Sequence, residues 1–246
     1  MKLYGNNLIT SSTVITGITI QDGFALTDLY SNNLFPYVRT ATDSMTGVFD
    51  FGAAVDFDYI IIAGHNITSG ATITINANAT NVWTSPSVSV TMTHSAGHMR
   101  YEWPSTQSYK YMQIVISDVS NPATYLQISK IMVGKVVDML DMTPVFSTPT
   151  FINSITHTSP TGQVYGNKGI RLESLSCNCE ALKSEKDIFM ALYDVVQDIT
   201  AFFCSVYPDS LATYPLVHMR FADKNINWQH EQNGFYKASI NFTEVN

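Results

Sequence analysis

The chain has 246 residues, of which 45% are apolar and only 13% charged, with a net charge of −7. That length can bury one large core or two ordinary ones, and an acidic balance without a basic run gives phosphate-backbone binding no electrostatic footing. About a quarter of a soluble domain is ordinarily charged, so this surface takes its polarity from Thr, Ser and Asn, and such neutrality suits close packing against neighbours or contact with sugar.

The first residues, MKLYGNNLITSS, lack the apolar centre of a secretory signal, and the longest apolar run, Tyr59–Ala63, is far short of a membrane span. Residues 3–20 predict two short strands around an Asn-Asn turn. Further strands are predicted at Gly47–Phe51, Tyr59–Gly64, Ala71–Ala77, Ser87–Thr93, Met99–Trp103, Tyr111–Ser117 and Leu126–Val133. Turn-rich pieces such as Ser69-Gly70, Thr84-Ser85-Pro86 and Ser120-Asn121-Pro122 separate them. Short strands at near-regular spacing, with no helix between, predict a sandwich or jelly roll over residues 1–137.

Residues 134–150 change character, with Gly134, Pro144 and Pro149 around a short acidic piece, and read as a linker into a second domain at 138–246. There, residues 170–182 alternate, with Ile170, Leu172, Leu175, Cys177, Cys179 and Ala181 as the inward set and a bulge expected near Glu173-Ser174. One helix is predicted at about 184–198, capped by Ser184 with Asp187 three residues on. Its apolar stripe is Ile188, Phe189, Leu192, Val195, Val196 and Ile199. Gln163–Tyr165, with Gly162, Gly166 and Gly169, reads as a mobile hairpin tip, and the glycine-flanked segment Thr158–Gly169 around it is expected to order only against a neighbouring copy or partner. Thr158, Gly162, Tyr165 and Gly166 are the candidate contacts between copies of the chain.

Catalytic spacing is missing from the sequence: it has no nucleophile elbow, no His-Glu-x-x-His and no phosphate-cradling glycine loop, so no catalytic residue, cofactor or metal ligand is assigned and the chain is expected not to be an enzyme. The three cysteines, Cys177, Cys179 and Cys204, read as reduced, buried thiols. Trp83, Tyr101 and Trp103 are the candidate ligand-binding residues, since flat aromatic faces suit sugar rings. The Gly64-His65-Asn66 turn between two apolar strands is either a site or only a way of turning the chain. The second is favoured: a permissive glycine, an imidazole bonded across the loop, and an Asn tolerant of left-handed geometry.

Three stretches carry a resemblance: Leu26–Asn33 (LTDLYSNN), Phe49-Asp50-Phe51-Gly52 and Ile60–Asn66 (IIIAGHN), followed by a late strand at Tyr111–Ser117. Together they resemble the galactose-binding-like, or discoidin-type, jelly rolls, and the Gly-His-Asn form resembles such domains in bacteriophage tail proteins. The strand, helix, apolar strand, Val-His-Met-Arg-Phe-Ala-Asp and terminal strand of residues 170–245 resemble phage minor or distal-tail proteins of tail-tube type. The resemblance implies a mostly β protein, with a jelly roll plus a tail-tube-like β-sandwich bearing one flanking helix, and residues 1–20 could pair with that second domain. It implies a structural component of a virion tail tip, assembled in the host bacterial cytoplasm. Its partners would be copies of itself in a ring of six-fold order, tube and hub proteins and host-surface glycan, with no nucleic acid and no membrane span. The alternative is a carbohydrate-binding adhesion protein that attaches the virion to host glycans.

Overall fold

A computed structural model describes residues 1–32, 34–138, 142–145, 151–152, 155–158, 164–167, 171–172, 174–197, 199–205, 216–231 and 234–245. The chain divides into two compact units, one of Tyr4–Val136 and one of Met1–Leu3 with Val137–Asn246. It is mostly β, with a single α-helix among the described residues.

In chain order the first strands are β1 (Lys2–Tyr4), β2 (Val14–Thr16), β3 (Val38–Arg39), β4 (Ser44–His65), β5 (Thr72–Asn78), β6 (Val88–Thr91), β7 (His98–Ser117) and β8 (Gln127–Gly134), with a 3-10 turn at Leu26–Tyr30 between β2 and β3. The Tyr4–Val136 unit is a jelly-roll sandwich with order β3-β8-β4-β7-β5-β6, and β2 lies on β4. Four of the expected strands are two. The segments at 47–51 and 59–64 are the halves of β4, and those at 99–103 and 111–117 are the halves of β7. The pair stays hydrogen-bonded from Ser44↔Ser117 to Ala63↔His98, with register shifts after Asp50 and after Phe57. Bulged register bends a strand. Gly52, at φ +82°, turns there while its N–H donates to the Asp50 carboxylate at 2.8 Å.

The bend folds one half of the hairpin over the other. Ile60, Ile62, Ile128, Ile131 and Val133 from one half meet Phe49, Ile73, Ile75, Met112, Ile114 and Ile116 from the other in a single core. Full burial of each such side chain contributes about 1.5–3 kcal/mol against leaving it exposed.

The second unit contains β9 (Val137–Asp138), β10 (Met142–Val145), β11 (Phe151–Ile152), β12 (Ile155–Thr158), β13 (Val164–Asn167), β14 (Arg171–Leu172), β15 (Ser174–Leu182), α1 (Lys183–Val196), β16 (Phe202–Ser205), β17 (Val217–Phe221), β18 (Gln229–His230) and β19 (Phe235–Glu244). Its sheet runs β10-β15-β19-β17-β16-β1-β9. The expected linker is therefore partly strand, because Val137 pairs with Leu3 and Met142 with Cys179. Of residues 1–20, the N-terminal strand joins this sheet, whereas Val14–Thr16 pairs with Val48–Asp50 in the jelly roll.

Strand β15 buries Leu175, Cys177, Cys179 and Ala181 in alternation. The expected bulge falls at Glu173, outside the described residues. All three cysteines are free and buried. Burial pushes the Cys177 thiol up to about 12 and raises Cys204 as well, so neither is a thiolate near neutrality.

Helix α1 corrects two expectations. It begins at Lys183, and the residue before it, Leu182, has no polar side chain to cap with; instead Glu185 reaches back and accepts the Leu182 N–H at 2.8 Å. Ser184 sits inside the first turn. Only part of the apolar stripe is buried: Phe189, Leu192, Tyr193 and Val196 face Cys177, Phe202, Phe221 and Ile240, while Ile188, Val195 and Ile199 are 57%, 62% and 73% exposed. Apolar residues occupy two faces of this helix, and the sheet can cover one.

Candidate functional site

The Gly-His-Asn turn ends β4 where that strand lies between β7 and β8. Gly64 has φ +59°, and a Cβ there would stand 2.5 Å from the Ser129 hydroxyl, so the position needs glycine twice over. His65 bonds across the loop, with Nε2 3.1 Å from the Ser95 carbonyl, and its ring stands edge-on to His94 at 5.8 Å. Burial, with His94 and His98 nearby, pushes the His65 imidazole down to about 4. The same burial lowers His98, whose Nδ1 accepts the Gly64 N–H at 3.3 Å. A buried Nδ1 on His65 has no partner.

Asn66 does something other than adopt a left-handed turn. Its Nδ2 donates to the Tyr125 carbonyl at 3.0 Å, and its Oδ1 accepts the Gln127 N–H at 2.7 Å. The backbone that leads into β8 is thus clamped at both ends of a short span. Asn121 adds a third tie by donating to the Asn66 carbonyl at 3.1 Å. The buried Asp118 carboxylate anchors the neighbouring loop, accepting from the Thr68 N–H and hydroxyl at 2.8 and 2.6 Å and from Asn121 at 3.0 Å. Between these ties Thr124 is held at φ +59°, a left-handed conformation unusual for a β-branched residue.

Tyr125, the residue so positioned, covers the guanidinium of Arg39. The Arg39 Cζ lies 4.2 Å from the Tyr125 ring centroid, 5.1 Å from Phe24 and 5.7 Å from Tyr37. Phe24 and Tyr37 stack at 5.6 Å, and Phe35, 74% exposed, stands edge-on to Tyr37 at 5.7 Å. The backbone of Arg39 is pinned by β8 on one side, opposite Gln127, and by the Gln21 N–H at 2.9 Å on the other. The Arg39 Nε is buried and has no hydrogen-bond partner. A cation walled by three aromatic rings, Phe24, Tyr37 and Tyr125, can hydrogen-bond a polar ligand edge while a neighbouring ring packs on an apolar face.

Of the aromatic platform expected from sequence, Tyr101 and Trp103 are in contact on β7 and Trp83 lies on the loop between β5 and β6. Trp103 is 7% exposed and packs edge-on against Phe57 at 5.1 Å and Tyr101 at 5.0 Å, as part of the jelly-roll core. Trp83 lies half-buried on the β5–β6 loop, its indole N–H donating to Asn81 at 2.7 Å. That loop follows Asn78, which pairs with Tyr111 beside the bend, whereas the Arg39 cluster sits where β3 ends and β8 begins. Of the candidate oligomer contacts, Thr158, Tyr165 and Gly166 lie on the β12–β13 ribbon, with Thr158 opposite Val164, and Gly162 lies outside the described residues. Among the described residues no three metal-ligating side chains come together, and no helix is long and apolar enough to cross a membrane.

Sequence reasoning missed Phe24, Phe35, Tyr37, Arg39 and Tyr125. A signal was there for four of them, since Arg39 is the first arginine of the chain and Phe24, Phe35 and Tyr37 are among the four aromatics in the fifteen residues before it. Tyr125 gave none: only folding brings it across from β8.

No protein-family model matches the sequence, and no curated protein matches it. In structure the chain is similar to a GH29 fucosidase of Ruminococcus gnavus in complex with fucose, at 15% identity and a TM-score of 0.45 over 54% of this chain. It spans 27% of that fucosidase. It is also similar to the family 32 carbohydrate-binding module of Clostridium perfringens NanJ in complex with galactose, at 12% identity and a TM-score of 0.42, covering 54% of this chain and 98% of the module. A fucose-binding module of Streptococcus pneumoniae aligns at 9% identity and a TM-score of 0.41, covering 52% and 96% respectively.

Proposed function

We propose that the Tyr4–Val136 unit binds carbohydrate through the loop cluster around Arg39 and leaves the sugar chemically unchanged. The observation that carries it is the Arg39 guanidinium, held against Tyr125, Phe24 and Tyr37 with a buried Nε lacking an acceptor, next to the exposed Phe35 ring. A pyranose has an apolar C–H face and a polar rim. Phe35 and Tyr37 suit the face, and the guanidinium donors suit the rim. The test is a glycan array on wild type and on Phe35→Ala. Signal that disappears in the variant, with unchanged melting, supports the reading; signal indifferent to Phe35, or no signal with wild type, overturns it.

A second reading concerns the other unit, as the part that mounts the jelly roll on an assembly. Two observations favour it. Exposed Ile188 and Val195 leave α1 with an uncovered apolar face, and Ile199, beyond the helix end, is exposed as well. The segment from Phe151 to Leu172 pairs only with itself among the described residues, as two short two-stranded ribbons. We infer that these elements join copies of the chain into a ring at a bacteriophage tail tip, in contact with tube and hub proteins, and display the jelly roll to host-surface glycans.

A further inference from the structure

We propose that the sugar held at Arg39 carries a carboxylate, a uronic or sialic acid unit being its chemical class. The inference rests on the carbohydrate-binding reading and narrows it. Arginine remains charged at any pH a protein survives, so a half-buried guanidinium needs either a counter-charge or water. In this unit the other arginine has its counter-charge, with Arg100 2.9 Å from the Glu102 carboxylate. Among the described residues Arg39 forms no ion pair. Asp22 and Asp28, on the loop that also carries Phe24, are not bonded to it, and what surrounds the guanidinium is aromatic.

A ring stacked over a guanidinium occupies its face and leaves the in-plane N–H donors pointing outward, which is the edge that a carboxylate engages with two parallel bonds. Nε is buried without a partner, so it is the two terminal guanidinium nitrogens that offer that edge. A neutral hydroxyl would satisfy one donor and leave the charge unbalanced. A carboxylate satisfies two donors and the charge together, and charge-assisted bonds are roughly twice as strong as neutral ones. Phe35, 74% exposed, then lies where the sugar ring's apolar face can rest. The clamp from Asn66 fixes the Tyr125 backbone, and the Tyr125 ring lies over the guanidinium.

The test is calorimetry of the whole chain with matched pairs: a glucuronate-containing oligosaccharide against its carboxyl-reduced form, and sialyllactose against lactose. We expect one acidic member to bind, its neutral counterpart to bind at least about tenfold more weakly, and Arg39→Lys, which keeps the charge but not the fork, to lose most of that preference. The uronate and sialate arms tell the two sources of the carboxylate apart. Equal affinity for an acidic sugar and its neutral counterpart overturns this inference and leaves carbohydrate binding standing. Binding of no sugar overturns both. Because the paired ligands are compared on wild type, the outcome does not depend on the variant folding.

Discussion

Asn66 links the turn that stands out in the sequence to the site that does not. Its two side-chain bonds reach Tyr125 and Gln127, and Tyr125 forms the near wall of the Arg39 cluster. Asn66→Ala removes both bonds, each worth about 1 kcal/mol net, so chemical denaturation should show a loss of roughly 1–3 kcal/mol and glycan affinity should fall with it. Unchanged stability would mean that the clamp is not closed in solution. His65 has a different signature. Its folded value, about 4, lies below the ordinary 6.5, so between those limits the unfolded chain binds a proton that the folded chain refuses. Stability from this group is complete above the upper limit and is lost as pH falls through the window, with His98 acting in the same direction. The drop in melting temperature between neutrality and pH 4.5 should shrink in His65→Gln; an equal drop would show that the imidazole is already charged or exposed. From sequence the turn was legible as structure: Gly64 and His65 behave as their chemistry requires. Asn66 was misread, because its partners lie some sixty residues on and local turn preference could not reveal them.

At the scale of elements, periodicity located the parts but not their joins or faces. Alternation in residues 174–182 gave the buried side of β15 correctly, since a strand has one inner face and its inward residues are all apolar. The jelly-roll strands were found as fragments because the bends at Gly52 and near Phe57 look like strand ends, although the ladder continues through them. Trp83, Tyr101 and Trp103 suggest a site by their chemistry, yet Trp103 fills the core, and exposure cannot be read from residue type. In α1 a capping serine and a wide apolar stripe were the plain reading. The helix instead starts one residue earlier, and Glu185 closes on Leu182. Glu185→Ala should therefore cost about 0.5–2 kcal/mol in denaturant unfolding, and Ser184→Ala close to nothing. The reverse order would restore Ser184 as the cap.

At the scale of the whole molecule, the low charge and the exposed Ile188 and Val195 on α1 are the features the proposed assembly would use. Replacing Ile188 and Val195 together with Ser should leave the melting temperature unchanged or slightly higher, because neither side chain is buried, and the proposed self-assembly predicts a lower mass by light scattering. A variant that melts early yet assembles normally would show that these two residues serve the fold of the unit. The central claim is that the jelly roll holds a sugar at Arg39. The most direct measurement is an experimental structure of the chain with its best glycan-array ligand bound. The account predicts the sugar seated on Phe35 and Tyr37, with its polar edge on the Arg39 guanidinium; a sugar seated on the Trp83 loop, with the Arg39 cluster untouched, would contradict it.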